Sequence, residues 1–237
     1  MIEEILPPAV ASADQLGDLS ALPPAPLLPT EAEAIATAVP RRRHEFAAVR
    51  RCARQALADL GLPRTYPILP GHRGAPRWPD GVTGSMTHCK GYRAAAVALN
   101  HCYRSIGIDA EPHGPLAEGT LAAIALPDEQ EHVHDLTRNA PHNHWDRLLF
   151  STKEAVFKAW FPLARQMLQF RDANVRFDPG AGTFTALLDI RTPHDEPREL
   201  SGRWLVRDGL LVTSVAVPHT ASRRNTDGAQ VPVRSAD

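Results

Sequence analysis

Between residues 41 and 60 the apolar side chains Phe46, Val49, Ala53, Ala56, Leu57 and Leu60 recur at helical spacing, which predicts an amphipathic helix with one buried face. Pro40 suits its start and Gly61 its stop. A shorter helix is expected before it, capped by Thr30, with Glu31 and Glu33 in the first turn and an end near Val39. Further along, a weak helical pattern covers residues 127–139 and a strong one covers 146–161, closed by Pro162. Residues 62–82 carry Pro63, Pro67, Pro70, Gly71, Gly74, Pro76, Pro79 and Gly81, and read as loop.

The remaining apolar stretches have strand character. Strands are expected at 84–88, 94–99 and 105–111, and again at 175–177, 183–190, 203–207 and 210–217. Asp208-Gly209 between the last two is a two-residue hairpin signal, and Asp178-Pro179-Gly180 marks another turn. Residues 1–30, rich in Pro and Ala, read as an extended lead-in with short strands at best. From His219 the polar residues lack periodicity, which predicts a disordered tail over 219–237. The fold class is therefore α+β, with no internal sequence repeat.

Composition narrows the function classes. The 237 residues, 43% hydrophobic, can build one sizeable domain or two small lobes. A net charge of −1 gives no overall basic field for nucleic acid, so an anionic ligand needs a local cluster. Cys52, Cys89 and Cys102 form no C-x-x-C pair, which fits a reduced, cytoplasmic protein. The acidic start Met1-Ile2-Glu3-Glu4 lacks a signal pattern, and the apolar run 94–99 is far shorter than the about 20 residues of a membrane span. Of 26 basic residues only Lys90, Lys153 and Lys158 are lysine, so two lysines five residues apart stand out.

Five places could carry chemistry. In Gly107-Ile108-Asp109-Ala110-Glu111, strand alternation projects Asp109 and Glu111 from one face while Ile108 and Ala110 turn to the core. Such a pair suits a hard cation such as Mg²⁺, or is a solvated strand end before Pro112. On the helix over 146–161, Arg147, Ser151, Glu154 and Lys158 form one polar stripe. The competing readings are a capping box at Ser151-x-x-Glu154 and a surface pair between Glu154 and Lys158. Arg43, Arg50 and Arg54 line up beside the apolar face of the helix over 41–60, with Arg42 nearer the core edge; the stripe is either a phosphate site or a solvated basic face. Gly84-Ser85-Met86-Thr87-His88 sets hydroxyls beside an imidazole without a nucleophile elbow. Glu131, His132, His134, Asp135, His142 and His144 lack zinc-site spacing and read as polar surface.

The order of these segments is more specific than any one of them. Arg41-Arg42-Arg43-His44-Glu45-Phe46, then Gly84-Ser85-Met86-Thr87-His88-Cys89, then Gly107-Ile108-Asp109-Ala110-Glu111-Pro112, then Phe150-Ser151-Thr152-Lys153-Glu154-Ala155-Val156-Phe157-Lys158-Ala159 resembles the 4′-phosphopantetheinyl transferases that serve non-ribosomal peptide and polyketide synthases. The likeness spans about residues 4–218 and lies with the branch of enterobactin synthetase component D, in an actinobacterial-looking composition.

The resemblance implies two similar lobes related by a pseudo-two-fold axis, each an antiparallel sheet on a long helix. The N-terminal lobe would span 1–104 and the C-terminal lobe 105–218, with coenzyme A in the cleft between them. It implies that Asp109, Glu111 and Glu154 would hold Mg²⁺, with the Ala110 main chain nearby. Arg42, Arg50, the loop residues Pro70, Gly71, His72 and Arg73, and Thr87 with His88 would hold the adenylate end. Pro70 departs from the basic residue common at the first loop position, so Arg73 or Arg43 stands in as its substitute. Lys158 would meet the pyrophosphate or move a proton, Leu168 would border the pantetheine channel, and Glu154 would be the base. The partners implied are apo carrier-protein domains, met by a monomer in the cytoplasm, in siderophore or other secondary metabolism. A Mg²⁺-dependent nucleotide phosphodiesterase or pyrophosphatase, and a non-catalytic carrier-protein or coenzyme A-binding module, are the alternatives.

Overall fold

A computed structural model describes residues 1–18, 25–190 and 196–219. Two antiparallel sheets divide the chain. The first has strand order β1-β3-β2, from β1 (Ala11–Leu16), β2 (Val82–Cys89) and β3 (Tyr92–Leu99). Short α1 (Pro29–Ala34) and long α2 (Pro40–Asp59) precede β2. The second sheet runs β4-β8-β7-β6-β5, from β4 (Tyr103–Pro112), β5 (Ala173–Asp178), β6 (Thr183–Leu188), β7 (Glu199–Arg207) and β8 (Leu210–Pro218). Helices α3 (Thr120–Ile124), α4 (Pro127–Asn139) and α5 (Trp145–Ala164) fill the interval between β4 and β5. The class is α+β, as the periodicities require, and each sheet carries a 20-residue helix. The lobes share this plan but differ in size, with three strands against five.

Strand β3 explains how the lobes join. Its Ala95 and Val97 pack on Cys52, Ala53, Ala56 and Leu57 of α2. From its other face Tyr92, Ala94, Ala96 and Ala98 meet Ile106, Ile108 and Ala110 of β4 in a separate core. A strand covered on both faces loses the polar alternation of a half-exposed one, and its small side chains let both layers approach. The edge of β4 is closed differently. Ser85 Oγ and Thr87 Oγ1 on β2 accept hydrogen bonds from the Ile108 and Ala110 N–H groups, at 3.1 and 3.2 Å. Side-chain hydroxyls thus satisfy an edge that would otherwise template further pairing.

Several boundaries depart from expectation. Helix α1 is capped at Leu28, not Thr30, and ends at Ala34 rather than near Val39. Pro29 takes the first helical position, where its missing N–H costs nothing. Glu31 turns inward instead of solvating the first turn: its carboxylate accepts from the Leu28 and Ile68 N–H groups and from Arg54 at 2.8 Å. Pro162 does not close α5, which continues to Ala164 and caps at Arg165 in a left-handed conformation. So close to the end, a proline removes one intrahelical bond without breaking the helix. Five-residue α3 is too short for periodicity to announce, whereas 127–139 forms a full helix with Val133 and Leu136 buried. At the hairpin, Asp208 and Gly209 have φ of +53° and +73°, the two positive values a type I′ turn needs. The expected tail lies outside the described residues from 220 onward.

Candidate active site

Strand β4 and helix α5 meet back to back, and glycine sets how closely. A Cβ on Gly107 would lie 1.9 Å from Ala155 O, so any other residue would push the helix off the strand. With the helix this close, its polar stripe faces β4 and β8. Arg147 donates to Glu111 at 3.1 Å, Ser151 meets the Thr213 hydroxyl at 3.0 Å, and Lys158 donates to Asp109 Oδ1 at 2.7 Å. The helix starts at Trp145, so Ser151 is no cap. Lys158 pairs across to β4, which removes the surface-pair reading as well.

Asp109 is the centre of this arrangement. It is 5% exposed, and its Oδ1 accepts from both Lys158 and the Thr87 hydroxyl. Its Oδ2 is buried with no hydrogen-bond partner among the described residues. Burial and then the Asp109 charge push the Glu111 carboxyl above the usual carboxylate range, against the pull of Arg147. Burial also raises Glu154, with Lys158 pulling down and Asp109 adding to the rise. An orphaned carboxylate oxygen beside two carboxyls that resist ionisation is a place where a hard cation fits. Among the described residues no three or more acidic, histidine or cysteine side chains gather as a metal-ligand cluster. Water and a ligand's own oxygens would supply the remaining positions, as is usual for Mg²⁺ beside phosphates.

Asp109 and Lys158 sit on the wall of a cleft of about 1280 Å³, above the range of roughly 300–1,000 Å³ for small-molecule sites. Arg42, Arg50, Pro70, Gly71, His72, Arg73, Thr87 and His88 also line it. Arg42 lies 3.2 Å from His88 Nε2, and burial with the Arg42 charge keeps the imidazole below its ordinary value. Arg50 is partly committed. It donates from Nε to Ile68 O at 2.7 Å and from a terminal nitrogen to Phe46 O at 3.3 Å, and it stacks over the Phe46 ring. Burial lowers its pKa to about 10. His72 reaches across to stack on Phe161 of α5, centroids 5.9 Å apart.

Other sequence candidates lie elsewhere. Arg43 is exposed and off the cleft wall, and Leu168 is buried in the core of the second lobe rather than beside the cleft. Ala110 packs in the core between the sheets, while Glu111 and Glu154 adjoin Asp109 without lining the cleft. The structure adds Arg77, Arg104 and Arg165 to the lining. No local pattern marks them, because arginines abound in the sequence and only the chain path selects these.

Two family models match the chain. One is the 4′-phosphopantetheinyl transferase N-terminal domain, over residues 30–98, and the other the 4′-phosphopantetheinyl transferase superfamily, over 105–211. The chain is similar to 4′-phosphopantetheinyl transferase Svp of Streptomyces mobaraensis, 50% identical over 97% of this chain and 95% of that protein. It is similar to 4′-phosphopantetheinyl transferase PptT of Mycobacterium tuberculosis, 44% identical over 92% of this chain and 98% of the relative. Enterobactin synthase component D of Salmonella typhimurium is 30% identical, over 77% of this chain and 76% of its own length. These matches lend no support to a nucleotide hydrolase or a non-catalytic module. Joined to the carboxylates of β4 and the stripe of α5, they establish that the chain belongs to the 4′-phosphopantetheinyl transferase superfamily and is an enzyme of that activity.

Proposed function

We propose that the cleft binds coenzyme A and that the enzyme passes its 4′-phosphopantetheine to a serine of an apo carrier protein. The observation that carries this reading is Asp109, half-satisfied at the wall of an arginine-lined cleft and tied to Lys158. Arg42, His88 and Arg73 face an anionic ligand there, and Arg50 keeps three of its five N–H groups for it. Lys158 gives one N–H to Asp109 and one to Ile108 O, leaving a third for a bridging phosphate oxygen.

The residues then divide the work. The carrier serine oxygen forms a bond to the β-phosphorus of coenzyme A as the bond to 3′,5′-ADP breaks, and the electron pair leaves on the ADP phosphate. Glu154 accepts the serine proton, and Lys158 with the arginines steadies the growing charge. Mg²⁺ held by Asp109, Glu111 and Glu154, when bound, would neutralise the pyrophosphate. The carboxyls raised by burial make Glu154 a better proton acceptor than a solvated glutamate. Enterobactin synthase component D among the relatives favours carriers of non-ribosomal peptide synthesis as partners. Among the described residues no helix is long and apolar enough to cross a membrane.

The test is intact-mass spectrometry of an apo carrier domain with coenzyme A, with and without Mg²⁺. A Mg²⁺-dependent gain of one phosphopantetheine is expected. Free phosphopantetheine with an unmodified carrier would sink the proposal.

A further inference from the structure

Helix α5 is held to its sheet by more than apolar packing. Three of its carbonyls, four residues apart, touch the sheet in a row. Thr213 Oγ1 donates to Ser151 O at 3.1 Å, Gly107 opens the space for Ala155 O, and Ser105 Oγ donates to Ala159 O at 2.6 Å. Ser105, Gly107 and Asp109 follow one another on the same face of β4, and Thr213 is the cross-strand partner of Asp109 on β8. Thr213, Ser151 and Ser105 are fully buried. The Ser151 hydroxyl completes the upper contact by donating to Thr213 Oγ1 at 3.0 Å.

These contacts flank the reacting residues. Glu154 and Lys158 each precede a gripped residue, Ala155 and Ala159, so a rotation of the helix by a fraction of a turn would swing both away from β4. Helical side chains lean toward the N-terminus, which lets Lys158 reach back from the level of Ser105 to Asp109. The grip at Ala159 falls where the helix is weakest. Pro162 brings no N–H to Lys158 O, so the last turn lacks a bond beside that lysine. A hydroxyl on the adjoining carbonyl restores a fixed point there. Helix carbonyls have a second lone pair to offer, and an alanine or valine at these sheet positions could fill the space without setting the phase.

We infer that Ser105 and Thr213 are positioning residues for catalysis: their buried hydroxyls set the rotation and height of α5, placing Lys158 and Glu154 over Asp109. The inference rests on the roles proposed above for Glu154 and Lys158.

The experiment compares Thr213→Val, which keeps shape and removes the hydroxyl, with Thr213→Ser, which keeps the hydroxyl. Ser105→Ala is the independent second variant, and Glu154→Gln and Lys158→Ala are the reference arms. Carrier modification at saturating coenzyme A and Mg²⁺, KM for coenzyme A, and the rise in Tm on adding Mg²⁺ are measured for each. A misplacement of about 1 Å can cost ~10²-fold, so kcat should fall about 10- to 100-fold in Thr213→Val and Ser105→Ala. KM should move less than threefold, Thr213→Ser should recover most of the rate, and the Mg²⁺-induced rise in Tm should shrink in Thr213→Val. Unchanged kcat in both hydroxyl-deleted variants, or equal loss in Thr213→Ser and Thr213→Val, overturns the inference. If Thr213→Val does not fold, Ser105→Ala decides alone. Near-normal rates in Glu154→Gln and Lys158→Ala would instead overturn the site roles themselves.

Discussion

Two lysines five residues apart on α5 stand in opposite situations. Lys153 is buried against the α3–α4 junction and the start of β5, where its three N–H groups are shared among Glu129 at 2.7 Å and the carbonyls of Ile124, Phe170 and Ala173. Glu129 is equally satisfied, accepting from the Leu126 and Val175 N–H groups. Lys158 is half-buried at the cleft and, among the described residues, has an N–H to spare and a partner carboxylate whose second oxygen is unpartnered. A buried charge with every bond made is a fastening. One with bonds left open beside a cleft is a site. The same motif supplies both, one sealed in the core with its bonds made and the other partly open to the cleft.

Substitution of the cleft side should remove rate with little loss of stability. Glu154→Gln keeps the shape but cannot take up the serine proton at neutral pH, so kcat should fall ~10²–10⁴-fold even at saturating Mg²⁺ and coenzyme A. Near-normal turnover would remove the base role from Glu154, leaving it a ligand only or a helix-surface glutamate. The fastening side should behave in reverse. Lys153→Met leaves Glu129 charged and unpaired, and breaking a buried pair in this way costs about 3–5 kcal/mol, read as a large fall in the urea midpoint. Lys153→Met combined with Glu129→Gln should recover part of that loss. If Lys153→Met instead lowered turnover in fully folded enzyme at unchanged stability, the contrast between the lysines would fail.

Smaller effects sharpen the picture. Arg50→Ala should raise KM for coenzyme A by about tenfold, the loss of one charge-assisted contact worth ~1.5 kcal/mol, with kcat nearly unchanged. An unchanged KM at low salt would make Arg50 a structural clamp on Ile68 and Phe46. The smallest effect is a gain. Glu154 has its folded-state pKa raised, chiefly by burial, so the folded protein binds that proton at a higher pH than the unfolded chain does. Ionised Glu154 therefore costs stability above the raised pKa, and the cost disappears as pH falls into the ordinary glutamate range. Glu154→Gln should raise Tm by about 1–3 °C at pH 7. That gain should vanish near pH 4.5 and shrink when Mg²⁺ is present. A Tm gain independent of pH would point to packing rather than charge.

What the sequence determined by itself is whatever depends on near neighbours. Period 3.6 placed α2 and the body of α5, period 2 separated Asp109 and Glu111 from Ile108 and Ala110, and Asp208-Gly209 set the last hairpin. The polar stripe of α5 was legible for the same reason, since residues three and four apart share a helix face whatever the helix packs on. Tertiary structure decided which stripe members meet which partners. Helix phase separates Lys158 from Lys153, but nothing local distinguishes Arg43 from Arg50 or Glu31 from Glu33; the members of each pair differ only in what distant chain segments bring to them. Glu31 is buried because Arg54 and Ile68 arrive from 23 and 37 residues away, and Asp109 is held at the cleft wall because β2 and α5 converge on it from either side. Periodicity reports which way a side chain points. What it finds there depends on contacts between segments far apart in the chain, and those exist only once the two sheets have closed on β3 and β4.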